Sequence, residues 1–317
     1  MTFAFYKSAG EFTRSHGAGT VVTVGTFDGI HLGHQAILKR LNELARETGL
    51  EPVVVTFHPH PRVLVTPQNY PLMLTTLDEK EHFMPCFHGG AVVVLEFNEQ
   101  LKEMSAERFA QEILVRQLGA RKLIVGYDHA FGKNRGGGIA DLKRIGGQVG
   151  FDVEVVEPVM VSGRPVSSSR IRAAMHEGHL REAVALLGHE YAIFGTVERG
   201  IGLGRKLGYP TANVNYGQDK LLPFPGVYAC RVEVQSEKKM GMMFIGHNHF
   251  NAAKAVTVEA NLFDFDRDIY DAEICVYPTH FIREGRKFAS TGELAEQMAN
   301  DKMNVLGIIG KGETTCQ

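Results

Sequence analysis

The chain has 317 residues, of which 44% are hydrophobic, and a formal net charge of −2. This length suits two domains, and the apolar content excludes wholesale disorder. The near-zero charge gives no general attraction to nucleic acid or anionic lipid, so a bound polyanion must be held by a few placed cations and backbone N–H groups.

Cysteine usage and hydropathy indicate the compartment. The four cysteines are scattered without the C-x-x-C spacing of zinc or redox motifs, at Cys86, Cys230, Cys275 and Cys316. The first ten residues lack the apolar core of a signal peptide, and no apolar run approaches the roughly 20 residues that span a bilayer. We therefore expect a cytoplasmic protein that binds neither membrane nor nucleic acid. The sequence leaves its oligomeric state open.

The first half of the chain alternates short β-rich runs with helical stretches. Strands are predicted at 21–25, 52–57, 91–97, 122–126 and 152–157, and helices at 33–48, 78–87, 106–118 and 140–149. Thr76 and Glu79 have the spacing of a capping box at the start of the second helix. Strands that are apolar throughout are typical of a parallel sheet buried on both faces. The pattern predicts a doubly wound α/β domain of right-handed βαβ units.

After residue 167 the pattern changes. Short helices are predicted at 170–177 and 180–187, followed by strands at 191–198, 226–234, 242–245, 255–265 and 269–278, and a last helix at 292–303. Many short strands closed by one helix predict a small antiparallel β-barrel. We therefore expect an α/β domain over 1–187 and a barrel domain over 188–317.

The most informative segment is Gly25-Thr-Phe-Asp-Gly-Ile-His-Leu-Gly-His34, which passes from a strand through a glycine turn into a helix. Ligands of open parallel sheets bind at the carboxyl ends of the strands, and a helix N-terminus offers N–H groups to an anion. We expect Gly33 to let the backbone approach a phosphate, and His31 and His34 to stabilise charge on it. A single histidine at a helix start is more often a cap or a surface residue. Neither a Walker A loop nor G-x-G-x-x-G is present, which argues against a P-loop kinase or a nicotinamide enzyme.

Three further segments accompany this motif. Thr56-Phe-His-Pro-His-Pro61 follows the second strand, although alone it would indicate only a rigid proline turn. The glycine-rich and cationic segment 126–138 suits a loop over a phosphate tail or a flavin, or else a merely flexible loop. Ser167-Ser-Ser offers hydroxyls to a triphosphate with Arg172 as counter-charge, the alternative being a serine N-cap with solvated arginines.

Together and in this order, these segments resemble the adenylyltransferase half of the prokaryotic bifunctional riboflavin kinase/FMN adenylyltransferase family. The resemblance implies in-line attack of the FMN phosphate on the α-phosphorus of ATP, with His31 and His34 as catalytic residues. It implies nucleotide or phosphate binding by Gly25, Phe27, Asp28, Gly33, Ser168, Ser169 and Arg172, and flavin binding by Asp128 and Arg135. The chain departs from the family at His129, usually Phe, and at Ser169, usually Thr.

The second domain has its own glycine-rich segment, which runs from Gly195 to Asn213 and ends in Pro-Thr-Ala-Asn. Such a loop presents backbone donors to phosphates, and Thr211 and Asn213 supply oxygen ligands suited to a magnesium–nucleotide complex. The glycines alone would indicate an ordinary hairpin loop. With Pro-Thr-Ala-Asn and the later Pro225-Gly-Val-Tyr228, the segment is similar to the riboflavin kinase signature.

This second resemblance implies that Glu259 is the general base on the ribityl 5′-hydroxyl. It implies nucleotide binding by Gly202, Gly204 and Lys206, metal binding by Thr211 and Asn213, and a role for Arg283 in closing over the flavin or ADP. Three departures lie near the expected riboflavin site: Gly246-His-Asn-His-Phe250 replaces the usual Gly-x-Arg-Pro-Thr, Asn261 a usual His, and Asp271 a usual Gly.

The leading hypothesis is a bifunctional enzyme that uses ATP and Mg²⁺ to convert riboflavin to FMN in the barrel and FMN to FAD in the α/β domain. One alternative keeps only FMN adenylyltransferase activity, with the barrel as a weak or inactive kinase that serves as a flavin-binding module. A flavin sensor without turnover and a nucleotidyltransferase for another phosphate acceptor are further alternatives. In the enzymatic hypotheses the partners are small-molecule substrates.

Overall fold

A computed structural model describes residues 3–13, 19–68, 70–129, 138–247 and 256–310. The chain divides into two compact units, Met1–Ser167 and Ser168–Gln317. The boundary expected from the sequence lies later, between residues 187 and 188. It stays a prediction, because the unit division and the domain division need not coincide.

The first unit contains a six-stranded parallel sheet in the order β1-β4-β3-β2-β5-β6. Its strands are β1 (Ala4–Tyr6), β2 (Thr20–Val24), β3 (Glu51–His58), β4 (Ala91–Glu96), β5 (Ala120–Gly126) and β6 (Asp152–Val156). The chain fills one side of β2 with β3 and β4, then crosses to the other side for β5 and β6. The direction of winding therefore reverses between β2 and β5, and such a switch point is where open α/β sheets bind ligands.

Helices and short turns connect these strands. They are α1 (Leu32–Thr48), α2 (Arg62–Val65), α3 (Leu77–Phe83) with a 3₁₀ turn at Met84–Cys86, α4 (Glu99–Lys102), α5 (Ala106–Phe109) with a π-helical stretch at Ala110–Gln117, and α6 (Ile139–Val149). Gly49 ends α1 in the left-handed conformation, at a φ of 69°. The predicted capping box of Thr76 and Glu79 is confirmed at the start of α3. A small hairpin of β7 (Met160–Val161) and β8 (Arg164–Pro165) precedes the second unit.

Both faces of this sheet are buried, as the apolar strands predict. Val22 and Val53 belong to the hydrophobic core on one face. Val21 and Val54, their chain neighbours, belong to the core on the other face. Because successive strand residues point to opposite faces, each strand contributes to both cores. The sheet is therefore a fixed frame for the loops that follow its strands.

The second unit begins with two helices, α7 (Ser168–His176) and α8 (Leu180–Leu187), which pack on each other. A closed antiparallel barrel follows in the order β10-β13-β12-β11-β14-β9. Its elements are β9 (Ile193–Glu198), α9 (Leu203–Lys206), β10 (Ala212–Tyr216), β11 (Gly226–Val234), β12 (Glu237–His247), β13 (Val256–Leu262), β14 (Glu273–Arg283) and α10 (Thr291–Gly310). Since α8 contacts β14, the two helices group with the barrel.

The predicted fold class, an α/β unit followed by a small barrel with a C-terminal helix, is confirmed. Several element bounds were wrong. The strand predicted at 242–245 is the middle of the much longer β12, and the strand predicted at 269–278 begins later and continues to Arg283. In the part of the chain that the structure describes, no helix is both long and apolar enough to cross a membrane.

Candidate active sites

The turn between β2 and α1 has an unusual backbone. Phe27 and Ile30 have positive φ angles of 47° and 41°, and Gly29 lies between them at 89°. Positive φ is strained for bulky and β-branched side chains, and such strain clusters at functional sites. The side chains of Phe27 and Ile30 are buried in the core and hold the turn in place. The Phe27 side chain thus lies in the core, and its predicted part in nucleotide binding stays a prediction.

His31 and His34 lie together at the start of α1, as predicted. His31 is the N-cap residue, and its Nδ1 accepts a hydrogen bond from the backbone N–H of His34 at 3.4 Å. Their rings stack with centroids 3.7 Å apart and planes inclined by 15°. A Cβ on Gly33 would lie 3.2 Å from the His31 ring. Gly33 thus makes room for the imidazole, and the predicted approach of its backbone to phosphate stays a prediction.

The chemistry of His34 follows from its burial. Burial, and then the charges of His31 and Lys80, hold the pKa of His34 well below its usual value of 6.5. Its Nδ1 is buried and has no hydrogen-bond partner in the described structure. A buried polar atom without a partner is costly, so it points to a ligand atom that would complete it. At neutral pH, the site therefore presents an uncharged imidazole.

Asp28 connects this turn to α3. Its carboxylate, in a residue only 1% exposed, accepts the backbone N–H of Thr75 at 3.0 Å. The N–H of Gly29 donates to the Thr75 hydroxyl, also at 3.0 Å. These two bonds fix the position of α3 relative to the turn. The predicted contact of Asp28 with nucleotide stays a prediction.

Lys80 on α3 is a residue that the sequence analysis missed. It is 5% exposed, and its ammonium interacts electrostatically with Asp28, Glu79 and His34. Lysine is almost never buried to this degree without a partner. Nothing in the sequence separates Lys80 from a solvated helix lysine, because burial depends on how α3 packs against the turn.

The remaining predicted residues of the first half are spread over three places. Gly25, at the end of β2, donates its N–H to the Val55 carbonyl at 3.0 Å. Asp128 is exposed just beyond the end of β5, the strand next to β2. Arg135 lies outside the described residues. Ser168, Ser169 and Arg172 are on the first turns of α7, which belongs to the second unit, and their predicted binding of the ATP phosphates stays a prediction.

The barrel unit contains a cavity of about 310 Å³. Thr211, Asn213 and Glu259 line it, and β10 pairs with β13 so that Asn213 stands directly opposite Glu259. The rest of the wall is largely apolar and includes Leu203, Leu207, Val227, Met242, Phe244 and Met298. Cavities of this kind, apolar with a few convergent polar groups, are typical small-molecule sites. The structure thus brings these three predicted residues together.

The glycine-rich loop packs directly against two of these polar side chains. A Cβ on Gly200 would lie 2.2 Å from the Asn213 amide nitrogen, and one on Gly204 would lie 2.3 Å from the Tyr209 carbonyl. Gly202 has open space but a φ of 71°, which favours glycine. Gly202 and Gly204 also line the cavity, whereas Lys206 is exposed and does not line it. Close approach of the backbone therefore explains the glycines.

Two of the departures from the family pattern are built into this wall. The Asn261 amide donates to the Pro210 carbonyl at 2.7 Å, which ties β13 to the segment that carries Thr211. His247 lines the cavity, and residues 248–250 lie outside the described residues. Asn261 therefore has a clear structural use at the position where the family usually has His.

Arg283 lines the same cavity but is held by a carboxylate that the sequence analysis missed. Its Nε and Nη2 donate to Asp301 on α10 at 2.9 and 2.7 Å, and Nη1 donates to the Glu284 carbonyl. Gln297 donates to the same carboxylate at 2.8 Å. The bidentate pair joins β14 to α10 across the cavity wall. Contact of Arg283 with flavin or ADP stays a prediction.

The donor set of the cavity fits Mg²⁺ in a nucleotide complex. Among the described residues, no group of three or more His, Cys, Asp or Glu could hold a metal ion. Magnesium bound with nucleotide needs only one or two protein oxygens, because phosphates and water complete its octahedron. Thr211 and Asn213 line one cavity, and their hydroxyl and amide oxygens can supply them.

Comparison with known proteins places both units. A family model for FAD synthetase matches residues 13–170, and one for riboflavin kinase matches residues 187–309. The bifunctional riboflavin kinase/FMN adenylyltransferase of Listeria monocytogenes is 36% identical over 296 residues, covering 92% of this chain and 93% of its own. This chain belongs to the bifunctional riboflavin kinase/FMN adenylyltransferase family. The resemblance inferred from the sequence motifs is confirmed.

One further relative and one solved structure are also similar to this chain over most of its length. The Escherichia coli K12 protein of the same name is 35% identical, covering 92% of this chain and 93% of its own. A crystal structure from Streptococcus pneumoniae, titled a macrolide-efflux protein, has a TM-score of 0.81 and 31% identity over 96% of this chain and 98% of that one.

Proposed function

We propose that this chain makes FAD from riboflavin in two ATP-dependent steps. The barrel unit phosphorylates riboflavin to FMN, and the α/β unit transfers AMP from ATP to FMN, releasing pyrophosphate. The observation that carries the proposal is the match to bifunctional relatives along 92% of the chain, with family models for both activities. Nothing favours the alternative of a kinase-inactive barrel, since Glu259, Thr211 and Asn213 all face its cavity.

In the kinase step, the ribityl 5′-hydroxyl attacks the γ-phosphorus of ATP. Glu259 takes the hydroxyl proton, a P–O bond forms to riboflavin, and the bond to ADP breaks. Mg²⁺, when bound with ATP, neutralises the phosphates. Thr211 and Asn213 orient the phosphates, and the backbone of Gly202 and Gly204 approaches them closely. The apolar wall of the cavity suits the flavin ring.

In the adenylyl-transfer step, the FMN phosphate attacks the α-phosphorus of ATP in line. One P–O bond forms and the bond to pyrophosphate breaks, so the net charge moves onto the leaving group. No protein base is required, because the attacking phosphate is already ionised. The chain's contribution is positioning and stabilisation of charge, by His31, His34 and the N–H groups that begin α1.

Further assignments belong to this proposal. Ser168, Ser169 and Arg172 would bind the β- and γ-phosphates of ATP, Asp128 and Arg135 the flavin side of FMN, and Lys206 the nucleotide of the kinase step. Mg²⁺ is the proposed metal in both steps. We place the enzyme in the cytoplasm, consistent with the free thiols of Cys86, Cys230 and Cys275 among the described residues.

A chromatographic time course with two starting substrates tests the function. Purified protein is incubated with ATP and Mg²⁺, starting either from riboflavin or from FMN. We expect FMN and then FAD in the first reaction, and FAD in the second. FAD only from FMN would refute the kinase assignment, and no product in either reaction would refute both activities.

A further inference from the structure

The buried lysine of the first unit has no role in the two steps described so far. Lys80 is buried on α3, with 5% of its surface exposed. We infer that Lys80 is a positioning residue of the adenylyl-transfer site, where its ammonium supplies a fixed positive charge beside the histidine pair. This inference rests on the proposed FMN adenylyltransferase activity.

Lys80 and the histidine pair belong to different elements, α3 and the start of α1. The capping box of Thr76 and Glu79 fixes the first turn of α3, and Lys80 is the residue after Glu79 in that helix. The hydrogen bonds of Thr75 with Asp28 and with Gly29 attach the start of α3 to the turn between β2 and α1. The ammonium is therefore held by packing and by the cap, so its place does not depend on a bound nucleotide.

Charged and titratable groups face this ammonium from three elements. Asp28 comes from the turn, Glu79 from α3 itself, and His34 from the start of α1. Burial lowers the pKa of Lys80 from 10.5, and the charges of Asp28 and Glu79 oppose that shift. The two carboxylates favour the charged form of the ammonium although it is out of water.

The positive charge of Lys80 acts on His34. It adds to burial and to His31 in lowering the pKa of His34. Two rings stacked at 3.7 Å could not both be cationic without strong repulsion. A lysine can carry the positive charge of the site over a range of pH in which a histidine would change its protonation state. The phosphates of ATP thus meet a preorganised field, and the reaction needs no proton uptake by His34.

The test compares Lys80→Met, Lys80→Arg and a control, Lys39→Met, whose lysine is exposed on α1. The rate of FAD formation from FMN is measured against pH, with riboflavin phosphorylation by the same preparations as an internal check. We expect Lys80→Met to lower kcat by about 10- to 100-fold, less than the 10²–10³-fold of a direct donor. The acid limb of the pH–rate profile of Lys80→Met should move to higher pH, because loss of the positive charge raises the pKa of His34. Lys80→Arg should keep the acid limb of the wild type, and Lys39→Met should match the wild type throughout.

Several outcomes would overturn the inference. Lys80→Met with the kcat and acid limb of an active wild type would refute it while leaving the proposed function intact. A wild type that forms no FAD from FMN would refute both. If Lys80→Met loses the thermal transition of the first unit, Lys80→Arg decides: an acid limb at the wild-type pH supports the inference, and a shifted limb contradicts it.

Discussion

The candidate sites of the two units are built in different ways. In the α/β unit the site is a strained turn, two stacked imidazoles and a buried lysine, all gathered where one parallel sheet changes its direction of winding. In the barrel unit it is a cavity of about 310 Å³ with a carboxylate, a hydroxyl and an amide on an otherwise largely apolar wall. The difference follows the chemistry. Attack by an ionised phosphate needs fixed charge, whereas attack by a neutral hydroxyl needs a base and an enclosed acceptor.

The largest expected effect breaks the barrel site alone. Glu259→Gln should lower riboflavin phosphorylation by about 10²–10⁴-fold, because it removes the base at nearly constant shape. FAD formation from FMN should be unchanged. Asp264→Asn, the same chemical change at an exposed carboxylate just beyond β13, is the matched control. Equal loss in both variants, or loss of both activities in Glu259→Gln, would contradict the assignment.

The converse change breaks the α/β site. His34→Ala should slow FAD formation from FMN by about 10²–10³-fold, the usual cost of removing one preorganised donor. Riboflavin phosphorylation should continue, so FMN should accumulate in a reaction that starts from riboflavin. Chromatography of that reaction measures both rates in one sample. Undiminished conversion of FMN to FAD would remove His34 from the catalytic site.

A third prediction separates the units by their response to acid. Burial lowers the pKa of His88, which lies against Asn42 and the Ala91 carbonyl, to about 4. Between pH 6.5 and about pH 4, His88 is protonated in the unfolded chain and neutral in the folded chain. The free energy of unfolding should therefore fall as the pH is lowered through this range. The loss should approach about 3 kcal/mol at pH 4. Urea unfolding across this range should show a flatter dependence for His88→Gln, and parallel curves for the two proteins would contradict this origin.

The smallest effect concerns the wall of the barrel cavity. Asp301→Asn weakens the pair with Arg283 and should lower the free energy of unfolding of the barrel unit by about 1–3 kcal/mol. Glu296→Gln, an exposed carboxylate on the same helix, is the control and should change it little. Thermal unfolding measures both. Equal stability of the two variants would show that the pair contributes nothing to the wall.

The sequence predicted the frame better than the details of the sites. The central strands of the sheet were evident because they are apolar throughout, but β1 has only three residues and was missed. β10 was also missed, because its polar Pro-Thr-Ala-Asn start suggested a loop. Lys80 and Asp301 were missed since a charged residue on a helix is usually solvated. Only the packing of α3 and α10 shows that these two are buried.

The central claim is that each unit catalyses one of the two steps. The most direct measurement mixes Glu259→Gln with His34→Ala and follows riboflavin, FMN and FAD over time with ATP and Mg²⁺. Each variant alone should fail to convert riboflavin to FAD at an appreciable rate. The mixture should make FAD, because FMN released by His34→Ala is a substrate for Glu259→Gln. Conversion of riboflavin to FAD at the wild-type rate by either variant alone would contradict the claim.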